Sequence, residues 1–129
     1  MVNKNIKILV VDDDQVVCDV VSQTLAMGGY RCTTVLRSGD ALDKLATEKF
    51  NLVVLDIKLP DMSGIEVLRQ IQSKRNDTPV IMLSAVNDVD TAVEAMKLGA
   101  SDYIVKPFGL DRLDKSVRMA LEAEQPVTN

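Results

Sequence analysis

Short apolar runs alternate with helix-patterned stretches from one end of the chain to the other, and few folds can satisfy that alternation. Ile6 to Val11 is apolar apart from Lys7, and Leu52-Val53-Val54-Leu55 is apolar throughout, which suits strands buried on both faces. Arg31 to Leu36, Pro79 to Leu83 and Asp102 to Val105 are the other strand candidates. Between the strands, apolar residues recur at helical spacing. The groups are Val16, Val17, Val20, Val21 and Leu25; Ala41, Leu42, Leu45 and Ala46; and Ile65, Leu68 and Ile71. Two more follow, Val89, Ala92, Val93 and Met96, then Leu110, Leu113, Val117, Ala120 and Leu121. Gly28-Gly29 and Gly99 are stop signals, and Ser63 with Glu66 reads as a capping box. Five strand–helix units in strict order predict an α/β fold, a doubly wound five-stranded parallel sheet with helices on both faces.

The polar residues at the strand ends then become informative. Asp12, Asp13 and Asp14 follow the first strand, Asp56 ends the third, Ser84 the fourth and Lys106 the fifth. In an open parallel sheet all C-terminal strand ends share one edge, where ligands bind. Each residue alone has an ordinary explanation: an N-cap for Asp14, a turn for Asp56, a strand exit for Lys106. Four such accidents on one edge are harder to accept. Crowded carboxylates repel, and a hard divalent cation with oxygen ligands relieves the repulsion. Asp13 and Asp56 can supply side-chain oxygens and the loop after Asp56 a backbone carbonyl. With Lys106 and Ser84 beside it, one carboxylate can then attack a phosphoryl donor.

Composition narrows the alternatives. A chain of 129 residues with 47% hydrophobic and 26% charged residues suits one globular domain. The net charge of −4 disfavours direct binding to nucleic acid or anionic membranes, and the absence of histidine removes His-based triads and His-ligated metals. Cys18 and Cys32 lack metal-ligand spacing and are expected as small packing residues. Neither a leader-like segment nor a membrane-length apolar stretch is found, so a cytoplasmic location is expected.

Three stretches carry a family resemblance: Ile8-Leu9-Val10-Val11-Asp12-Asp13-Asp14, then Leu55-Asp56-Ile57-Lys58-Leu59-Pro60-Asp61-Met62-Ser63-Gly64, and Ala100-Ser101-Asp102-Tyr103-Ile104-Val105-Lys106-Pro107-Phe108. In this order and spacing the chain resembles the response regulator receiver (CheY-like) domain, with residues 1–124 as the domain and 125–129 as a tail or the start of a linker. Residues 90–100 are similar to receivers of the nitrogen-regulator and dicarboxylate-transport-regulator type. The resemblance implies strand order 2-1-3-4-5, a cis Lys106-Pro107 peptide and Asp56 as phosphoacceptor. It implies Mg²⁺ (or Mn²⁺) held by Asp13, Asp56, the Lys58 carbonyl and, through water, Asp12. Ser84 becomes the switch hydroxyl, Lys106 the phosphate contact and Tyr103 a rotamer switch. The implied donor is a sensor histidine kinase or phosphotransfer protein. The implied output is a changed surface at helix four, strand five and helix five, with a possible phosphorylation-dependent homodimer. Lys58 and Val86 are poorly suited to positioning an attacking water, so slow self-dephosphorylation is expected.

Two rivals fit less of the chain. Asp12-x-Asp14 after a buried strand also matches haloacid-dehalogenase-type phosphatases, but their further acidic motif and cap insert are missing and Asp56 would be idle. A flavodoxin-like FMN carrier needs a Ser/Thr/Gly-rich first loop where this chain is acidic.

Overall fold

Ile8 to Val11, Leu52 to Leu55 and Val80 to Leu83 become strands because their side chains are covered from both sides. The computed structural model describes residues 5–74, 77–85 and 89–123. Its elements run β1 (Lys7–Val11), α1 (Gln15–Met27), β2 (Arg31–Val35), α2 (Ser38–Thr47), β3 (Leu52–Asp56), α3 (Gly64–Lys74), β4 (Val80–Ser84), α4 (Val89–Lys97), β5 (Asp102–Val105) and α5 (Leu110–Ala123). The strands form one parallel sheet in the order β2-β1-β3-β4-β5, as the resemblance implied. The Lys106-Pro107 peptide is cis.

The twofold alternation of a strand divides even these uniformly apolar runs between two cores. Leu9, Val11, Val53, Leu55, Val80 and Met82 pack with residues of α2, α3 and α4. Ile8, Val10, Leu52, Val54, Ile81, Leu83 and Ile104 pack with α1 and α5. The largest gain in stability lies here, at about 25 cal/mol for each Å² of apolar surface removed from water.

The helix ends follow their local signals. Asp14 caps α1, its carboxylate accepting from the Val16 N–H at 2.9 Å, and Gly29 ends the helix at φ 94°. Gly99, at φ 100°, ends α4 in the same left-handed region. Ser63 caps α3 by accepting from the Ile65 N–H at 3.1 Å. Glu66, expected to complete a capping box, instead takes Arg69 Nη1 at 2.7 Å.

Four helices depart from the sequence expectation, α1 and α4 most; in α2 Ala46, expected inside, is exposed. In α1 the buried stripe is Cys18, Val21 and Leu25, while Val16 and Val20 are 67% and 42% exposed. In α4 the small residues Ala92 and Ala95 face the sheet, and Val89, Val93 and Met96 lie outside. Both helices carry more apolar residues than their buried arcs hold. Leu110, also expected inside, is exposed at the start of α5, whereas Leu113, Val117 and Ala120 are buried as predicted. Cys18 and Cys32 are free thiols packed with the α1/α5 core, and burial pushes each thiol up to about 11. No helix among the described residues is long and apolar enough to cross a membrane. The end of the chain from residue 124, including the 125–129 tail, lies outside the described residues.

Candidate functional site

Strand register assembles the site. Val11 pairs with Leu55, so Asp12 leaves β1 beside Asp56; Asp56 pairs with Leu83 and Ser84 with Val105, so Ser84 and Lys106 leave along the same edge. Backbone bonds fasten each exit: the Asp12 N–H donates to the Val35 carbonyl at 3.2 Å, Ile57 to Leu83 at 3.0 Å and Lys106 to Ser84 at 2.7 Å. The acids, the hydroxyl and the ammonium therefore meet because the sheet is parallel.

Lys106 Nζ stands between two carboxylates, 2.6 Å from Asp12 Oδ2 and 3.2 Å from Asp56 Oδ2. Asp12 is fully buried and Asp56 is 5% exposed, whereas Asp13 is exposed. Asp12 Oδ1 accepts from the Asp14 N–H at 2.9 Å, which holds that carboxylate against the start of α1. Asp56 Oδ1 accepts the Lys58 N–H at 3.3 Å. Burial, and next the charge of Asp12, push the Asp56 carboxyl up to about 6, with Lys106 partly opposing them. For Lys106 burial works against the charge, but the close ion pair with Asp12 and the charges of Asp56 and Asp12 prevail, and its pKa is raised. Ser84 is buried, and its hydroxyl donates to the Ala85 carbonyl at 3.2 Å.

Oxygens of Asp12, Asp13 and Asp56 all lie within 4.8 Å of one another. Asp12 Oδ2 is buried without an aligned hydrogen bond, despite its charge contact with Lys106. A carboxylate oxygen in that condition, in an all-oxygen donor set open to solvent at Asp13, fits a hard divalent cation. Lys58, the expected carbonyl ligand, lies in the loop two residues beyond Asp56. Tyr103 is half-buried on β5 and shares a hollow of about 350 Å³ with Val89, Ala92, Val93 and Met96. Val86 lies outside the described residues.

Three residues that hold the site together were not assigned roles from the sequence. Gly64 opens α3 directly against the Asp56 backbone: a Cβ there would collide with the Asp56 carbonyl oxygen and sit 2.8 Å from Ile57 Cα. Asp61, in the same loop, reaches the start of α2, accepting the Ser38 N–H at 2.9 Å and the Gly39 N–H at 2.9 Å. The buried Ser38 hydroxyl donates to the Met62 carbonyl at 2.6 Å. One local clue exists: Arg37 stands at the α2 N-cap and makes no side-chain capping bond, so an acceptor must come from elsewhere.

Comparison with known proteins agrees with this geometry. The family model described as "Response regulator receiver domain" matches residues 8–118. The transcriptional regulatory protein ZraR of Klebsiella oxytoca is 39% identical over 132 residues, covering 99% of this chain and 30% of its own length. The regulatory protein AtoC of Escherichia coli (strain K12) is 38% identical over 118 residues, covering 92% of this chain and 26% of its own. The chain thus spans less than a third of these curated relatives. Among solved structures, a CheY-like response regulator receiver domain protein from Methanospirillum hungatei JF-1 superposes with a TM-score of 0.87 at 34% identity, covering 92% of this chain and 94% of that one. The receiver domain of NtrX from Brucella abortus gives a TM-score of 0.86 at 37% identity, covering 89% and 98%.

Proposed function

Because the chain belongs to the response regulator receiver domain family, we propose that it is switched by phosphorylation of Asp56. The observation that carries this assignment is the single ammonium of Lys106 shared between Asp12 and Asp56, at 2.6 and 3.2 Å. It places a positive charge beside a buried carboxylate that ends its strand at the ligand edge.

In the reaction, Asp56 attacks the phosphorus of a phosphohistidine donor, forming the new O–P bond as the P–N bond to imidazole breaks. Lys106 pairs with the transferred group. Ser84 gives up its bond to the Ala85 carbonyl and donates to a phosphoryl oxygen instead. Asp13, Asp56 and the Lys58 carbonyl would hold Mg²⁺ or Mn²⁺ directly, and Asp12 through water. The bound ion supplies positive charge that offsets the carboxylates and the phosphoryl oxygens. Phosphorylation adds about −1.5 to −2 charges and three acceptor oxygens. Movement of Ser84 opens space toward β5, and Tyr103 turns inward to fill it. This changes the face made by α4, β5 and α5, where Val89, Val93 and Met96 are exposed. Such an apolar face suits a second copy of the phosphorylated chain.

The donor is a sensor histidine kinase or phosphotransfer protein. Its docking place is a groove of about 450 Å³ beside Lys106, lined by Val16, Val20, Pro107, Phe108 and Leu110. This groove explains why α1 carries valines that its core has no room for: an apolar surface against the catalytic edge suits a helical donor. Lys58 beside the acceptor is a poor guide for water, which supports a long-lived phosphoryl group.

Incubation with acetyl phosphate and Mg²⁺ tests the assignment by intact mass and site mapping. A hydroxylamine-labile adduct on Asp56, absent in Asp56→Asn and after chelation, is the expected result. An adduct on Asp12 or Asp13, or none, overturns it.

A further inference from the structure

The loop between Asp56 and α3 covers residues 57–63, and Lys58, its second residue, is held on its N-terminal side: the Ile57 N–H donates to the Leu83 carbonyl at 3.0 Å and the Lys58 N–H to Asp56 Oδ1 at 3.3 Å. On the other side of the Lys58 carbonyl, the loop is restrained by a contact with α2. Asp61 receives two N–H groups from that helix, one on each carboxylate oxygen, both at 2.9 Å. The Ser38 hydroxyl clasps the adjoining Met62 carbonyl at 2.6 Å. Ser38 is fully buried and Met62 half-buried, while Asp61 is exposed. The Gly39 and Ser38 N–H bonds hold the Asp61 carboxyl below the ordinary carboxylate range. The exchange is mutual: Arg37 makes no side-chain cap for α2, and Asp61 supplies one while tying the second half of the loop to that helix.

We propose that Asp61 is a positioning residue for the divalent-cation site, fixing the loop that presents the Lys58 carbonyl by pinning it to the N-terminus of α2. The inference rests on the metal ligation described above. A backbone carbonyl can be aimed only by its own chain segment, so losing the pin costs metal affinity without removing any ligand. Groups behind metal ligands typically change affinity tenfold or more when removed. Coupling runs both ways: if the pin favours the ion, the ion must favour the pin.

Two measurements test this on the 129-residue chain. Calorimetric titration with Mg²⁺ is expected to show a dissociation constant raised roughly tenfold in Asp61→Ala, with a smaller rise in Asp61→Asn, which keeps one acceptor oxygen. Amide exchange at Ser38 and Gly39 is expected to slow when Mg²⁺ is added to wild type, and not in Asp61→Ala. A cap that merely stabilises α2 would lower the melting temperature in chelator but leave both readouts unmoved, and that result overturns the inference. If wild type takes up Mg²⁺ and the variants match it, this inference alone fails; if wild type takes up none, the metal site fails with it. Should Asp61→Ala not fold, equal Mg²⁺ affinity in Asp61→Asn, Ser38→Ala and wild type is sufficient to reject it.

Discussion

Burying one carboxylate beside another is costly, and Asp56 bears that cost for the sake of the site. Its pKa is raised to about 6, chiefly by burial and next by Asp12. A raised carboxyl pKa means that the folded chain binds this proton more readily than the unfolded chain does. Stability lost through Asp56 is therefore lost in full above pH 6 and recovered as pH falls from about 6 toward about 4, where the unfolded carboxyl also takes up its proton. In metal-free buffer at pH 7.5, Asp56→Asn should stabilise the protein by at most about 3 kcal/mol, since the carboxyl is raised by about two pKa units at about 1.4 kcal/mol each. Urea denaturation would measure it, and the difference from wild type should shrink on acidification. Saturating Mg²⁺ should reverse the order, because the cation favours the folded state of the chain that keeps the ligand. A variant that is less stable than wild type in chelator would show that Lys106 already compensates the buried charge.

Gly64 sets the distance between α3 and β3. A methyl group there meets backbone on β3, which cannot swing away as a side chain would. Gly64→Ala should cost about 1–3 kcal/mol, the usual range for overpacking, and should slow phosphorylation by displacing Asp56. Denaturant midpoints and the rate of adduct formation would report the two effects. The glycine was visible only as part of a motif; its reason was not, because the clash is with a residue eight positions back across a loop. The same limit explains Asp61 and Ser38, which meet across 23 positions with no periodicity to announce the contact. Strands were readable because a strand covered on both faces needs an uninterrupted apolar run, as at Leu52 to Leu55. The gathering of Asp12, Asp56, Ser84 and Lys106 followed from parallel strands sharing one edge, whereas strand order came only with the family resemblance. Helix faces were less readable. Periodicity marks apolar residues without saying what covers them, so Val20 and Val93 looked like core and are surface.

Those misplaced valines divide the molecule into two working faces. Val16 and Val20 border the groove beside Lys106, on the α1/α5 side of the sheet. Val89, Val93 and Met96 border the hollow at Tyr103, on α4. Under the function proposed above, the groove beside Lys106 receives the phosphodonor and the hollow at Tyr103 responds to what happens at Ser84. Charge placed on either exposed face leaves the core intact, because neither Val20 nor Val93 is buried. Val20→Asp is expected to slow transfer from a phosphorylated histidine protein by tenfold or more, on the order of 1.4 kcal/mol of docking energy, with acetyl phosphate used as well as before. Val93→Asp should show the complementary defect: normal phosphorylation from both donors, and loss of any phosphorylation-dependent self-association seen by analytical ultracentrifugation. Equal loss of both donors in Val20→Asp would mean that the groove shapes the reacting centre itself. A phosphorylated Val93→Asp chain that still dimerises would place the output on another face. The two substitutions thus separate how the phosphoryl group arrives from what its arrival changes.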